Sequence, residues 1–234
     1  MPASPPSSPP GPSDRGTLPA VVPATAPVAA QPGRGPARYV SSGPPGSDGV
    51  ALTFHLSGDP AVVTRLLDLL HERKVAITAF VVGKWLSANP AFATRLRADG
   101  HDIGNHTYNH LSMGRLGRSQ TASEIGRGAA VLRERTGDIG RWFRPSGIAV
   151  PTPTILTEAG RVGYPVSVGY SIDSLDFEDP GAAAVRANVA RDLRGGAVVS
   201  LHFGHAGTIE ALPGILADLA QRRLRPVTLS ELLV

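Results

Sequence analysis

Residues 50–83 read "VALTFHLSGDPAVVTRLLDLLHERKVAITAFVVG". The two ends of this stretch, residues 50–56 and 76–83, are short apolar runs typical of buried strands. Between them, apolar residues recur with helical spacing at Val62, Leu66, Leu69 and Leu70. Asp59 and Pro60 suit the N-cap and the first turn of that helix. The stretch therefore predicts a strand, a helix and a second strand that runs parallel to the first.

The same alternation continues towards the carboxyl terminus. Further helices are predicted at 89–100, 119–135, 152–163, 180–194 and 207–223. Further strands are predicted at 101–107, 141–147, 165–173, 196–204 and 226–229. About seven short β-α units in a row indicate parallel strands with helical crossovers. Both an open doubly wound sheet and a small, irregular (β/α) barrel satisfy this pattern.

The amino-terminal part has a different composition. Residues 1–45 are rich in Pro, Ser, Gly and Ala, and such a segment buries too little apolar surface to offset its ordering entropy. We expect a disordered tail or linker there and a single domain at 46–234. The apolar run at 17–30 is interrupted by three prolines and matches a signal peptide poorly. No run of about 18 apolar residues predicts a transmembrane segment.

Composition excludes several classes of function. The net charge of +4 comes from 23 basic and 19 acidic side chains that are spread along the chain, so nucleic-acid binding is not expected. The sequence contains no cysteine, which excludes thiolate catalysis, cysteine-ligated zinc and disulfides.

Histidines and carboxylates follow the predicted strands. In both parallel architectures the functional side chains lie at the carboxyl ends of the strands. Five of the seven histidines fall there, together with several aspartates and one arginine: His55, Asp59, His106, His110, Arg144, Asp173, Asp176, Asp179, His202 and His205. The other two histidines, His71 and His101, are interpreted as surface or structural residues. This clustering indicates one site at one edge of the sheet.

The spacing of two of these histidines is typical of a metal site. His106 and His110 are four residues apart, and imidazoles and carboxylates are the usual zinc ligands where thiolates are absent. Arg144 can orient a carboxylate or an anionic group, a structural salt bridge being the alternative. Asp173 and Asp176 can hold His202 in one tautomer, turn capping being the alternative.

Five segments, in order along the chain, resemble the motifs of the polysaccharide deacetylases, the NodB-homology or carbohydrate esterase family 4 domain. They are "TFHLSGD" (53–59), "HTYNH" (106–110), "RPSG" (144–147), "DSLDF" (173–177) and "SLH" (200–202). The usual forms are TFDDG, H-[ST]-x-x-H, R-x-P-x-G, D-x-x-D-W and L-x-H. "HTYNH" and "SLH" match closely, whereas Phe177 stands where tryptophan is commoner. The resemblance covers residues 50–234.

The resemblance implies a distorted (β/α)7 barrel that removes N-acetyl groups, or sometimes O-acetyl groups, from an N-acetylhexosamine polymer. It implies one divalent metal ion, often zinc, held by an aspartate and two histidines, which correspond to His106 and His110. It implies His202 as the general acid, supported by Asp173 or Asp176, with Arg144 orienting groups of the first motif. The remaining residues that we expect at the substrate are Thr107, which also supports the ligand loop, Pro145, Phe177 and His205.

The first motif departs from the family pattern. In direct register His55 takes the position of the general base, and Leu56 takes that of the metal-binding aspartate. Leucine cannot bind a metal, so we expect Asp59 as the third ligand, with Gly58 giving the chain the freedom to place it. The alternative for Asp59 is the N-cap of the following helix. His55 is then expected to act as the base or to face the metal and support its ligands.

Three hypotheses follow for function. The first is a metal-dependent deacetylase of a polysaccharide such as peptidoglycan or a chitin-like glycan, placed outside the cell or in its envelope and acting as a monomer. The second is a glycan-binding pseudoenzyme that lost catalysis with the two aspartates. The third is a deacylase of a small amide or ester. Metal content separates the first from the second, and polymer turnover separates the first from the third.

Overall fold

The computed structural model describes residues 35–234, which form one parallel sheet surrounded by helices. The strands are β1 Arg38–Val40, β2 Gly49–Leu56, β3 Thr78–Val81, β4 Asp102–Asn105, β5 Trp142–Phe143, β6 Val166–Val168, β7 Ile172–Asp173, β8 Val198–His202 and β9 Arg225–Val227. They lie in the order β1-β6-β5-β4-β3-β2-β8-β7, and β9 pairs with the start of β2. All of these pairs are parallel. The prediction of a distorted (β/α)7 barrel is confirmed.

Helices connect most of these strands. They are α1 Pro60–Arg73, α2 Gly83–Ala88, α3 Ala91–Ala98, α4 Arg118–Thr136, α5 Pro153–Val162, α6 Ala182–Asp192, α7 Ala206–Gln221 and α8 Leu229–Leu233. The short helices α2 and α8 were not predicted. The strand predicted at 165–173 forms two strands, because β6 pairs with β1 and β5 whereas β7 pairs with β8 at the other end of the sheet. None of the helices within residues 35–234 has the length and hydropathy needed to cross a membrane.

The domain begins earlier than expected. Strand β1 pairs with β6 through Arg38, Tyr39 and Val40, and these residues lie inside the predicted tail at 1–45. The short β-forming run "RYV" is surrounded by Gly and Pro, so composition alone concealed it. The remainder of the predicted tail, residues 1–34, lies outside the described part of the chain.

The alternation of side chains along β2 separates two layers of the core. Val50, Leu52, Phe54 and Leu56 belong to the layer between the sheet and the helices, and all four are fully buried there. Ala51 packs on the opposite face, against residues of the barrel interior. Because successive side chains on a strand point to opposite faces, His55 lies on the interior side and Leu56 on the helix side.

An apolar plug fills the barrel interior near the amino ends of the strands. It consists of Ala51, Phe80, Trp142, Val168, Val198, Val227, Leu229 and Leu232, the last two from α8. The same alternation places polar residues above this plug: Arg144 lies two positions beyond Trp142, and His55 and His202 lie four positions beyond Ala51 and Val198. The candidate site lies above this plug, at the carboxyl ends of the strands.

Candidate functional site

A cleft of about 330 Å³ lies at the carboxyl ends of the strands. Eight of the twelve residues predicted for the site line this cleft: His55, His106, His110, Arg144, Pro145, Asp173, Phe177 and His202. Tyr170, Ser200 and the loop at 147–149 also line it. Phe177 is 46% exposed at the entrance and lies edge-on to the His202 ring, with 5.5 Å between the ring centroids.

His106 and His110 present their Nε2 atoms to each other. The Nδ1 of His106 lies 2.9 Å from the carbonyl oxygen of Arg144, so this nitrogen carries the proton and the lone pair is on Nε2. The two Nε2 atoms are 3.2 Å apart. Burial lowers the pKa of His106 well below its ordinary value, and it also lowers the pKa of His110. Both imidazoles are therefore neutral at neutral pH, which is the form that binds a metal.

A buried carboxylate holds the loop that carries this pair. Thr107 and His110 have left-handed backbone angles, with φ of +69° and +62°, a conformation that non-glycine residues rarely adopt. Glu124 of α4 accepts hydrogen bonds from the backbone N–H groups of Tyr108 and Asn109 at 3.2 and 2.8 Å. It also accepts one from the Asn109 side chain at 2.6 Å. Glu124 was not predicted, because it lies on α4 outside all five motifs and its burial is visible only in the structure.

Thr107 is a support of this loop and does not line the cleft. Its side chain is fully buried, its hydroxyl lies 3.0 Å from that of Ser146, and its backbone N–H donates to the Asn105 side chain at 2.8 Å. We expected Thr107 to contact the substrate, and this expectation was wrong, because the buried side chain does not face the cleft. The loop-supporting role remains, because the Thr107–Ser146 contact joins the second motif to the third.

Asp176, and not Asp173, contacts His202. The Oδ1 atom of Asp176 accepts the Nδ1 proton of His202 at 2.7 Å, and its Oδ2 accepts the backbone N–H of the same residue at 2.7 Å. Burial opposes ionisation of Asp176, but the hydrogen bonds from His202 and Thr208 outweigh it and lower the pKa of the carboxyl group. The Asp173 carboxylate instead accepts the backbone N–H of Leu175 at 3.1 Å, within its own turn.

Arg144 is buried and donates hydrogen bonds to neutral acceptors. They are the carbonyl oxygens of Val168 and Gly169 at 3.0 and 2.7 Å and the hydroxyl of Thr53 at 2.9 Å. Burial lowers the pKa of the guanidinium to about 9. The salt bridge considered for this arginine is not formed with any carboxylate in residues 35–234.

One chain of hydrogen bonds joins Arg144 to Asp176 through two histidines. Nη1 of Arg144 lies 3.2 Å from Nε2 of His55, and a guanidinium can only donate, so this Nε2 is an acceptor. Neutral His55 then carries its proton on Nδ1, which lies 2.8 Å from Nε2 of His202. Burial lowers the pKa of His55 well below its ordinary value, and the positive charge of the nearby Arg144 guanidinium lowers it further. The partners therefore assign a tautomer to each histidine.

Asp59 and His205 lie outside the cleft, which corrects two expectations. Asp59 is exposed and caps α1, accepting the backbone N–H of Ala61 at 2.8 Å. Gly58 does adopt a left-handed conformation, with φ of +104°, but it places Asp59 at the helix terminus. The local capping preference thus prevails over the ligand role. His205 pairs with Asp179 at 2.8 Å, beyond the cleft wall.

The donors present fit a metal ion only in part. The His106–His110 pair supplies two neutral imidazoles whose Nε2 atoms are close enough to bind one ion, and the Arg144 carbonyl orients the first of them. Catalytic zinc usually has three protein ligands. Within residues 35–234, no three His, Asp or Glu side chains are grouped so that they could hold an ion together.

Comparison with known proteins agrees with the motifs. The family model for polysaccharide deacetylase matches residues 42–167, which include the first three motifs. A peptidoglycan-N-acetylglucosamine deacetylase of Bacillus cereus is 30% identical over 209 residues, covering 85% of this chain and 94% of the relative. A chitooligosaccharide deacetylase of a Bradyrhizobium strain is 30% identical over 162 residues, covering 68% and 73% of the two chains.

Two solved structures show the same fold. One is a peptidoglycan N-acetylglucosamine deacetylase in complex with a benzamide compound, with a TM-score of 0.77, 26% identity, and coverage of 83% of this chain and 92% of that one. The other is a mutant of a carbohydrate esterase family 4 pseudoenzyme with restored enzymatic activity, with a TM-score of 0.78, 25% identity, and coverage of 84% and 71%. The chain therefore belongs to the polysaccharide deacetylase family, whose deacetylase members are hydrolases that act on carbon–nitrogen bonds.

Proposed function

We propose that this chain removes acetyl groups from an N-acetylhexosamine polysaccharide of the cell envelope, with peptidoglycan as the first candidate. The observation that carries the proposal is the cleft itself, which combines a neutral His106–His110 pair with the His202–Asp176 dyad. The relatives named as deacetylases of peptidoglycan and of chitooligosaccharides support this choice of substrate class.

The cofactor of the proposed reaction is one divalent ion held by His106 and His110, with zinc favoured because both donors are imidazoles. When bound, such an ion polarises the acetyl carbonyl and acidifies a water molecule. Deacetylases of this family are generally metal-dependent. With only two protein ligands, we expect weaker binding than at a complete three-ligand site.

His55 and His202 are proposed as a connected base and acid. His55 can accept a proton from water at Nε2 once the 3.2 Å contact to Arg144 is released, since the guanidinium keeps its other hydrogen bonds. The Nδ1 proton of His55 then moves to Nε2 of His202, and Asp176 stabilises the resulting imidazolium. After the hydrogen bond between His55 and His202 breaks, Nε2 of His202 donates this proton to the departing amine.

Hydrolysis of defined substrates tests this proposal. We expect acetate release from N-acetylglucosamine oligomers by the zinc-loaded chain, and a loss of at least about a hundredfold in His202→Ala and Asp176→Asn. His71→Ala is the matched control, because this histidine also pairs with an aspartate, Asp99, but lies outside the cleft. Equal activity of all three variants would contradict the assigned roles, and faster turnover of a monosaccharide than of the polymer would favour a small-molecule deacylase.

A second candidate function, a glycan-binding pseudoenzyme, is favoured by one observation. The usual first motif has two consecutive aspartates, and this chain has a carboxylate at neither position. His55 stands at the first, and Leu56, at the second, is buried against the helices. Retained binding of a chitin or peptidoglycan oligomer, with no acetate released at any zinc concentration, would establish this alternative in place of the hydrolase.

A further inference from the structure

Thr208 lies in the first turn of α7 and contacts Asp176, the hydrogen-bond partner of His202. Its side chain is fully buried, and its hydroxyl donates a hydrogen bond to Oδ2 of Asp176 at 2.6 Å. The two residues are 32 positions apart in sequence, so their contact is a product of the fold. Neither the motifs nor the cleft lining includes Thr208.

The two oxygens of Asp176 have separate partners. Oδ1 accepts the Nδ1 proton of His202, whereas Oδ2 accepts the backbone N–H of His202 and the hydroxyl of Thr208. The carboxylate is almost completely buried, and no Lys or Arg in residues 35–234 forms an ion pair with it. Without the hydroxyl, Oδ2 would keep a single donor, and rotation of the carboxylate about its χ2 angle would be less restricted.

We propose that Thr208 is a positioning residue, which fixes the rotation of the Asp176 carboxylate and thereby holds His202 in the tautomer protonated at Nδ1. Its effect on turnover rests on the function proposed above, whereas its effect on the His202 ring does not. In that tautomer Nε2 of His202 faces His55 and can receive the proton that the acid step needs.

A purely structural role for Thr208 predicts different consequences. The hydroxyl also ties α7 to the short 3-10 helix at Asp176–Glu178, so its loss would lower stability in either case. Only the positioning role predicts a change at the His202 ring in a protein that remains folded. The state of that ring is therefore the decisive readout, and melting temperature is not.

The test compares Thr208→Val, which removes the hydroxyl and keeps the branched shape, with Thr208→Ser, which keeps the hydroxyl. Nitrogen-15 NMR of the metal-free chain with labelled histidine reports the His202 tautomer and the exchange of its Nδ1 proton. We expect this proton to exchange about tenfold faster in Thr208→Val and to recover in Thr208→Ser. In the zinc-loaded chain we expect kcat to fall about tenfold in Thr208→Val with KM unchanged.

Thr121→Val is the matched control. Thr121 is a buried threonine of α4 whose hydroxyl has no hydrogen-bond partner within residues 35–234, so its replacement should leave the His202 signals unchanged. Thr208→Ala removes the same hydroxyl and serves as a second variant if Thr208→Val does not fold. An unchanged His202 tautomer and exchange rate in both hydroxyl-free variants would overturn the proposal. Altered His202 signals in a chain without hydrolytic activity would refute the proposed function and leave the positioning role intact.

Discussion

Replacing Glu124 by alanine should weaken both the fold and the metal site. Glu124 accepts three hydrogen bonds from Tyr108 and Asn109, two of them from backbone N–H groups that would otherwise lack an acceptor. Each such group left without an acceptor costs about 1–3 kcal/mol. Removing a buried carboxylate offsets part of that loss, so we expect the free energy of unfolding to fall by about 3 kcal/mol.

The same substitution releases the strained loop between the two proposed ligands. Thr107 and His110 hold left-handed backbone angles only while the loop is anchored, and the 3.2 Å separation of the Nε2 atoms depends on that geometry. We therefore expect zinc affinity, measured by competition with a chelator, to fall about 10–100-fold.

Glu158→Ala separates the two effects. Glu158 is equally buried, but it lies on α5 and pairs with Arg118 and Arg161. Its replacement should lower stability, measured by urea denaturation, and leave zinc affinity unchanged. If Glu124→Ala retains the wild-type zinc affinity, or if Glu158→Ala loses as much of it, the loop does not set the metal site as described.

Three further outcomes are expected. Burial lowers the pKa of His101 to about 4 from its ordinary 6.5, so the stability that neutral His101 contributes is present above pH 6.5 and is lost as pH falls towards 4. That loss is about 3 kcal/mol. In His101→Asn, which keeps an acceptor for the Ile77 N–H, the free energy of unfolding measured by urea denaturation should fall less steeply between these pH values. Leu56→Asp should lower the free energy of unfolding by about 4 kcal/mol without improving zinc retention, because it buries a charge in the helix-facing layer; tighter zinc binding would show that the strand end can turn inwards. Phe177→Ala should raise KM for the polymer about fivefold with unchanged melting temperature, and an unchanged KM would remove this ring from the substrate path.

Local patterns were sufficient to predict most of the architecture. Apolar runs and helical spacing located β2 and α1, and Asp59 and Pro60 begin that helix as their residue types favour. The position of His55, His106 and His202 at strand ends then followed from the parallel topology alone. Strand β1 was missed because three residues in a Gly- and Pro-rich context carry almost no periodic signal, and only pairing with β6 defines them.

Residues that act through distant contacts could not be found in this way. Glu124 and Thr208 lie on helices and belong to no motif, and their roles arise from hydrogen bonds across 15 and 32 positions of sequence. Asp59 shows the opposite case, in which a role inferred from the family gave way to a strong local preference for helix capping. The choice between Asp173 and Asp176 also depended on side-chain direction, which sequence spacing does not specify.

The most direct test of the central claim is acetate release from an N-acetylglucosamine oligomer while zinc is titrated into the metal-stripped chain. If His106 and His110 hold the ion that supports deacetylation, release should rise from zero and saturate as zinc is added, with about one ion bound per chain at saturation. The His106→Ala, His110→Ala double variant should show no release at any zinc level. Acetate release that is independent of zinc, or equal in the double variant, would contradict the account.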